Sequence, residues 1–375
     1  MRVLVVKLAD IGDVLTATPA LRALRTSLPA AHITMLATPN SAAALRGLPH
    51  LDEIVLFDKF RYDRPWDALR PRSLAAAWGF FRSLRAGCYD SVLILHHLTT
   101  RWGALKYAAL ALATGARQRA GLDNGRGWFL TQRVPDRGFG AVHEADYWLE
   151  VAGLLGAHTA DRRIEIAVSD DDRQWAACSL SPTSPDARGP IPHTPYPTPA
   201  SRPLIAIHPG SGSFMLARRW PPERFALVAD ELAGCYQAQI VLLGGPEEES
   251  LAQSVAEKMH HQPLNLAGQT SIKQLAALLA RCALFVGGDS GVMHVAVAAG
   301  VPVVALFGPT NENAWGPYTP PGSGLRSVVV RAAGTQPVMY VGRSLGKDDA
   351  EAGQEAMAAI TVEMVIAAAE RMLSA

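Results

Sequence analysis

Short apolar runs closed by turn residues alternate with helical patterns along this chain, and the alternation starts afresh after a proline-rich break. Residues 2–7, 32–37, 53–57 and 91–95 read as strands in the first half; residues 204–208, 239–243, 284–287 and 301–307 do so in the second. Helical periodicity occupies 19–28, 222–233, 247–259, 272–281 and 361–373. Strand and helix in alternation require a parallel sheet with crossover helices. The expected fold class is therefore α/β, with two facing Rossmann-like domains. Pro19 suits the first turn of its helix, where a missing N–H does no harm. The break at 179–203 is rich in Pro, Ser and Thr, and proline blocks both helix and ladder. The expected division is an N-terminal domain 1–178, a linker 179–203, a C-terminal domain 204–350 and a terminal helix 351–375. A length of 375 residues suits two cores of ordinary size.

Several function classes drop out early. The net charge of +1 gives no whole-molecule field for nucleic acid, and no nucleic-acid partner is expected. Cys88, Cys178, Cys235 and Cys282 lie far apart with no CxxC and no Cys/His cluster. That spacing argues against zinc and against a disulfide framework, so reduced thiols in a cytoplasmic protein are expected. No metal and no cofactor are expected. The opening MRVLVVK is too short an apolar run for a signal peptide. No stretch approaches the roughly 18 apolar residues of a membrane span.

Three constellations fall where strands end, the edge at which open α/β sheets bind ligands. The first is Lys7-Leu8-Ala9-Asp10-Ile11-Gly12-Asp13. Asp13 there is either a first-turn carboxylate serving the helix dipole or a general base taking a proton from an acceptor hydroxyl; Asp10 competes for that role. The loop is not GxGxxG, and a carboxylate would face a pyrophosphate, so a nicotinamide-binding domain is not expected. The second is HPGSGS at 208–213, followed by Arg218-Arg219-Trp220-Pro221. Gly210 and Gly212 permit close backbone approach, Ser211 offers a hydroxyl, and Arg218 or Arg219 can clamp phosphate oxygens. The third is Gly287-Gly288-Asp289-Ser290-Gly291 with His294 a turn later. A helix beginning there presents free N–H groups to a phosphate. Asp289 holds the loop, meets a sugar hydroxyl or contacts a cation, and His294 is either structural or a ligand contact.

Two lesser features join them. The acidic triplet 247–249 follows a strand, where a carboxylate can bind ribose hydroxyls. LAGQTS, at 266–271, ends another strand; its backbone groups can touch an adenine ring, or Ser271 simply caps the next helix.

In this order and spacing the motifs resemble glycosyltransferase family nine, the lipopolysaccharide heptosyltransferases. The likeness spans nearly the whole chain: MRVLVVKLADIGDVL with TPAL, HEAD at 143–146, HPGSG with RRWP, GGPEE, LAGQTS, and GGDSGVMHVAVAAGVPVVALFGPT. The resemblance implies a two-domain B-type glycosyltransferase (GT-B) fold and an inverting transfer. It implies an ADP-heptose donor held by the C-terminal domain and a lipopolysaccharide precursor as acceptor. Asp13 matches the family's catalytic aspartate. The expected donor-binding positions are Ser211, Gly212, Arg218, Glu248, Asp289, Ser290, Gly291 and His294. Arg218 stands where the family pattern has lysine, which keeps the charge but changes its geometry; this leaves another nucleotide-sugar donor as the nearest alternative. Ser290 replaces threonine and keeps the hydroxyl. Glu248 aligns with the acidic residue near the ribose, with Glu247 and Glu249 as register alternatives.

The acceptor is expected on the N-terminal half, through Lys7, Asp10, Gly12, Arg61, Arg101, Arg119 and Arg126. Between 59 and 137 there are fourteen Lys and Arg against five Asp and Glu. Arg70, Arg72, Arg82 and Arg85 flank the apolar segment 74–81. That pattern is either an ordinary crossover helix with a basic face or a basic amphipathic helix in peripheral contact with the cytoplasmic face of the inner membrane. A non-catalytic sugar-nucleotide binding protein is the alternative from another class, and it is disfavoured by the presence of both Asp13 and the donor loop.

Overall fold

In a computed structural model, residues 1–180, 202–212, 216–338 and 347–374 are described. The core of the linker, 181–201, and part of the 336–353 segment lie outside them. The chain divides into two compact units, Met1–Ile164 and Glu165–Ala375.

The first unit holds a six-stranded sheet: β1 (Arg2–Val6), β2 (His32–Ala37), β3 (Glu53–Leu56), β4 (Ser91–Ile94), β5 (Gln118–Asp123) and β6 (Gln132–Pro135). Its order is β3-β2-β1-β4-β5-β6, and every pairing is parallel. Because the first strand lies at the centre, helices must cover both faces. Val3, Leu4, Val5 and Val6 are accordingly all fully buried, as continuous apolar strands in parallel sheets are. Pro19 sits in the first turn of the helix Thr18–Ser27, as expected.

The second unit repeats the plan with β7 (Leu204–His208), β8 (Gln239–Leu242), β9 (Leu264–Asn265), β10 (Leu284–Gly288), β11 (Val303–Leu306) and β12 (Ser327–Val330). The order is β12-β11-β10-β7-β8-β9, again all parallel. Ser271 caps the helix Ile272–Leu279 through a reciprocal pair: its Oγ accepts from Gln274 N, and Gln274 Oε1 accepts from Ser271 N.

Two boundaries differ from expectation. The second unit begins at Glu165, not at 204, because the helix Asp170–Ser179 packs on the helix Ile272–Leu279. The stretch after 350 is not a separate terminal helix. Helices Lys347–Ala358 and Val362–Ser374 bring Met357, Ile360, Val365, Ala368 and Ala369 into the core of the second unit. Trp220 fastens this segment by donating from Nε1 to the Ile360 carbonyl at 2.9 Å. Strands β5, β6 and β12 were not marked by the apolar pattern.

Candidate active site

At the carboxyl edge of the first sheet, β1 runs out into Lys7, which is 2% exposed. Its Nζ lies 3.9 Å from the centroid of the Trp148 ring, a cation–π contact in a desolvated place. Burial lowers the Lys7 pKa, with the charges of Asp13 and Glu144 opposing that shift. Asp10 is exposed at the N-cap position of the helix Ile11–Leu15, but its side chain makes no capping bond. Gly12 is buried, and Asp13 lies half-buried in the first turn. The helix is pinned from behind. Thr16 Oγ1 donates to the Asp13 carbonyl at 2.7 Å and accepts from Trp148 Nε1 at 3.1 Å. One tryptophan therefore fixes both the helix backbone carrying Asp13 and the ammonium beside it. Tyr107 shares the same field: burial first, then Asp13 and Asp63, raise its pKa.

Under Trp148 lies a charged cluster that the motifs did not reveal. His97 is 4% exposed, with Nδ1 3.0 Å from Asp136 and Nε2 2.9 Å from Glu144. Burial alone would lower the pKa of His97; bonds to the two carboxylates outweigh it and raise it to about 9. The ring packs edge-on against Tyr147 and Trp148, so the ion cluster supports the aromatic platform. The only sequence signals were the doublet His96-His97 after a strand and Glu144 within the HEAD segment.

Of the expected acceptor arginines, Arg61, Arg101 and Arg126 follow the ends of β3, β4 and β5, on the same edge as Lys7. Arg119 does not. It is the second residue of β5, toward the opposite edge, and its guanidinium bonds the Phe129 and Ala116 carbonyls, both at 2.7 Å. It ties a strand to its neighbouring loops and is removed from the acceptor set.

At the carboxyl edge of the second sheet, three segments converge. His208 ends β7 and is 1% exposed. Glu248 closes the 3-10 turn Pro246–Glu248 and is 3% exposed, while Glu247 and Glu249 are exposed. Glu248 Oε2 accepts from His208 Nε2 at 2.9 Å and from Gly245 N at 3.1 Å; Oε1 accepts from Gly212 N at 2.9 Å. Burial would raise the pKa of this carboxyl, but His208 and the two backbone donors draw it down to about 2. Glu248 is thus held by its own loops. Gly210 is obligatory beside it, since a Cβ there would come within 2.0 Å of Glu248 Oε1. Gly212 adopts φ +75°, which favours glycine, and Ser211 is buried.

The third segment is the start of the helix Gly291–Ala299. Ser290 is its N-cap, with Oγ accepting from Met293 N at 3.4 Å and lying 3.3 Å from His208 Nδ1. Capping uses the Met293 N–H and leaves those of Gly291 and Val292 at the helix start, where the dipole favours an anion. Arg218 donates to Asp289 Oδ2 at 2.7 Å. Asp289 therefore holds the loop and steadies the arginine expected to meet phosphate. His294 is buried one turn along the helix.

Comparison with known proteins places this arrangement. The family model for glycosyltransferase family 9 (heptosyltransferase) matches residues 77–333. Lipooligosaccharide heptosyltransferase 2 of Haemophilus influenzae is 36% identical over 133 residues; the match spans 34% of this chain and 36% of that relative's length. A solved glycosyl transferase family 9 protein from Veillonella parvula superposes with a TM-score of 0.77 at 29% identity, covering 100% of this chain and 97% of the other. An Escherichia coli heptosyltransferase solved with ADP gives 0.70 at 21% identity, covering 99% and 100%, and so shares the fold. With two all-parallel α/β units of the B-type glycosyltransferase architecture and a family match over most of its length, this chain belongs to glycosyltransferase family 9, the heptosyltransferases.

Proposed function

We propose that the chain transfers a heptose from ADP-L-glycero-D-manno-heptose to an inner-core lipopolysaccharide precursor, with inversion at the anomeric carbon. Asp13 carries the reading. It is a half-buried carboxylate at the ligand-binding edge of its sheet, on a helix braced by Thr16 and Trp148 and within the field of Lys7. In the proposed step the acceptor hydroxyl attacks the anomeric carbon, and its proton passes to Asp13. The bond from that carbon to the β-phosphate oxygen breaks, and ADP leaves. Charge growing on the diphosphate is met by the N–H groups of Gly291 and Val292 and by Arg218, groups set in place before reaction. The ADP bound to the Escherichia coli protein supports the donor class, and the name of the Haemophilus relative supports the acceptor class. Lys7, Asp10 and Gly12 are assigned to the acceptor's bound groups, and Arg61, Arg101 and Arg126 to its carboxylates or phosphates.

An exposed aromatic and basic surface extends the proposal to a peripheral membrane contact. Phe60, Trp66, Leu69, Leu74 and Trp78 are all more than half exposed, and Arg61, Arg64, Arg70, Arg72 and Arg82 lie among them. Exposed apolar side chains interspersed in sequence with exposed arginines suit the headgroup region of an anionic bilayer, here the cytoplasmic face of the inner membrane.

The test is transfer from ADP-heptose to a heptose-deficient lipopolysaccharide, with product configuration read by NMR. Asp13→Asn should lower kcat by about 10²–10⁴ and leave ADP affinity unchanged. Undiminished turnover in that variant would remove Asp13 as base. Transfer from a UDP-sugar but not from ADP-heptose would overturn the donor.

A further inference from the structure

We propose that His96 is an acceptor-binding residue whose ring hydrogen-bonds a second hydroxyl of the acceptor sugar, beside the one that gives its proton to Asp13. This rests on the acceptor reading above. His96 stands two residues beyond β4, whose last rung pairs Ile94 with Val6 of the neighbouring β1. Leu95 N still donates to the Val6 carbonyl at 3.0 Å, so the chain leaves the sheet at His96, alongside Lys7. His97 spends its ring on two carboxylates. His96 is only partly buried, and neither of its ring nitrogens has a hydrogen-bond partner among the described residues. Its carbon face is used instead: the ring lies 4.7 Å from that of Tyr107, with the planes 33° apart, on the helix Arg101–Thr114. Tyr107 in turn feels the charge of Asp13. The loop after β3 closes on the same place, where Lys59 Nζ donates to the Leu8 carbonyl at 3.4 Å.

The charges around the ring decide what it can bind. Burial comes first, and Lys7, the cationic His97, Lys59 and Lys106 add to it; together they hold the His96 pKa well below 6.5. The ring is therefore neutral at physiological pH. The carboxylates nearby are already engaged with those cations: Asp63 accepts from Lys106 at 2.8 Å, and Asp13 and Glu144 act on Lys7. A neutral imidazole carries one N–H donor and one bare nitrogen that accepts. A carboxylate or phosphate oxygen only accepts, so it would leave the bare nitrogen unpaired, and basic side chains serve it better. A hydroxyl both gives and receives, and it matches either ring nitrogen in either tautomer. Lysine ammonium groups only donate and cannot take a hydroxyl proton into a hydrogen bond; His96 can. Packing on Tyr107 keeps the ring in place before the sugar arrives. The contact is present before and during attack alike, so it contributes to acceptor affinity and not to turnover. An acceptor sugar without that hydroxyl is held less well, which makes His96 a specificity-determining residue.

The experiment is steady-state transfer from ADP-heptose to heptose-deficient lipopolysaccharide by variants at this position. His96→Phe keeps an aromatic ring on Tyr107 and loses both nitrogens. It should raise the acceptor KM about tenfold, the range of one hydrogen bond left unmade. Its kcat and its KM for ADP-heptose should stay within about twofold of the wild type. His96→Gln and His96→Asn carry an amide to where Nε2 and Nδ1 lie, and one of them should recover most of the loss and so name the ring atom. A ring that only packs on Tyr107 predicts an unchanged KM in His96→Phe; that result, or failure of both amides to rescue, overturns the proposal. Ring ¹⁵N shifts of the wild type, titrated with the deacylated core oligosaccharide of the same lipopolysaccharide, read the contact without a variant and decide the matter if His96→Phe does not fold. A His96 nitrogen should move on saturation, and stationary His96 signals overturn the assignment. A wild type that neither transfers to nor binds this acceptor refutes the acceptor reading and His96 with it, whereas transfer with the KM of His96→Phe unchanged refutes His96 alone.

Discussion

His97 keeps its charge across the neutral range because two buried carboxylates, Asp136 and Glu144, hold its proton. Its pKa rises from 6.5 unfolded to about 9 folded. A group raised in this way stabilises fully below its unfolded value, and that contribution is lost as pH climbs through the folded one. Thermal midpoints should therefore fall between pH 6.5 and 9, and His97→Gln should flatten that slope while lowering the midpoint at pH 6.5. A slope unchanged in the variant would assign the effect elsewhere. At this scale position was legible where a motif and a strand end coincide: Asp13 and Ser290 lie at the starts of the helices that follow β1 and β10. The sequence was silent on His97, because the carboxylates that give the ring its role are 39 and 47 positions away and only the fold joins them.

The turn at Gly210 is the tightest constraint on the donor loop. A methyl group there meets the Glu248 carboxylate at 2.0 Å, with Glu248 itself enclosed. Gly210→Ala should displace one of the two, lower stability by about 1–3 kcal/mol, and reduce ADP affinity without altering the first unit. Calorimetry and ADP titration check it; normal affinity would mean that the loop tolerates the shift. Strands were legible where four or more apolar residues run together, as in β1 and β10, because burial on both faces demands it. Strand β5 is interior too, but its sequence QRAGLD hides this: only Ala120, Gly121 and Leu122 are buried. That gap explains the misplacement of Arg119. Without the strand, nothing shows that it points away from the ligand edge.

For the molecule as a whole, the exposed aromatic surface around Trp66 and Trp78 makes membrane binding measurable. Flotation with phosphatidylglycerol vesicles should carry the protein at low salt, and higher salt should release part of it through screening. Trp66→Ser with Trp78→Ser should abolish flotation while leaving the melting curve unchanged. Recovery of the wild type at the bottom of the gradient would sink the membrane assignment. The two-unit plan was legible in the repeated alternation; the boundary was not, because the helix Asp170–Ser179 precedes the proline-rich stretch yet packs into the second unit. Nor did periodicity at 361–373 reveal that Ile360 and Val365 complete a core begun at Ile205. That closure has a consequence for synthesis on the ribosome. The first unit is complete once residue 164 has emerged, whereas the second must wait for the segment around 360. At about 5–20 residues per second, the nearly 200 intervening residues take roughly 10–40 s. Throughout that interval a finished first unit is tethered to a second unit whose apolar strands have no cover, and this nascent half is where a chaperone would be needed.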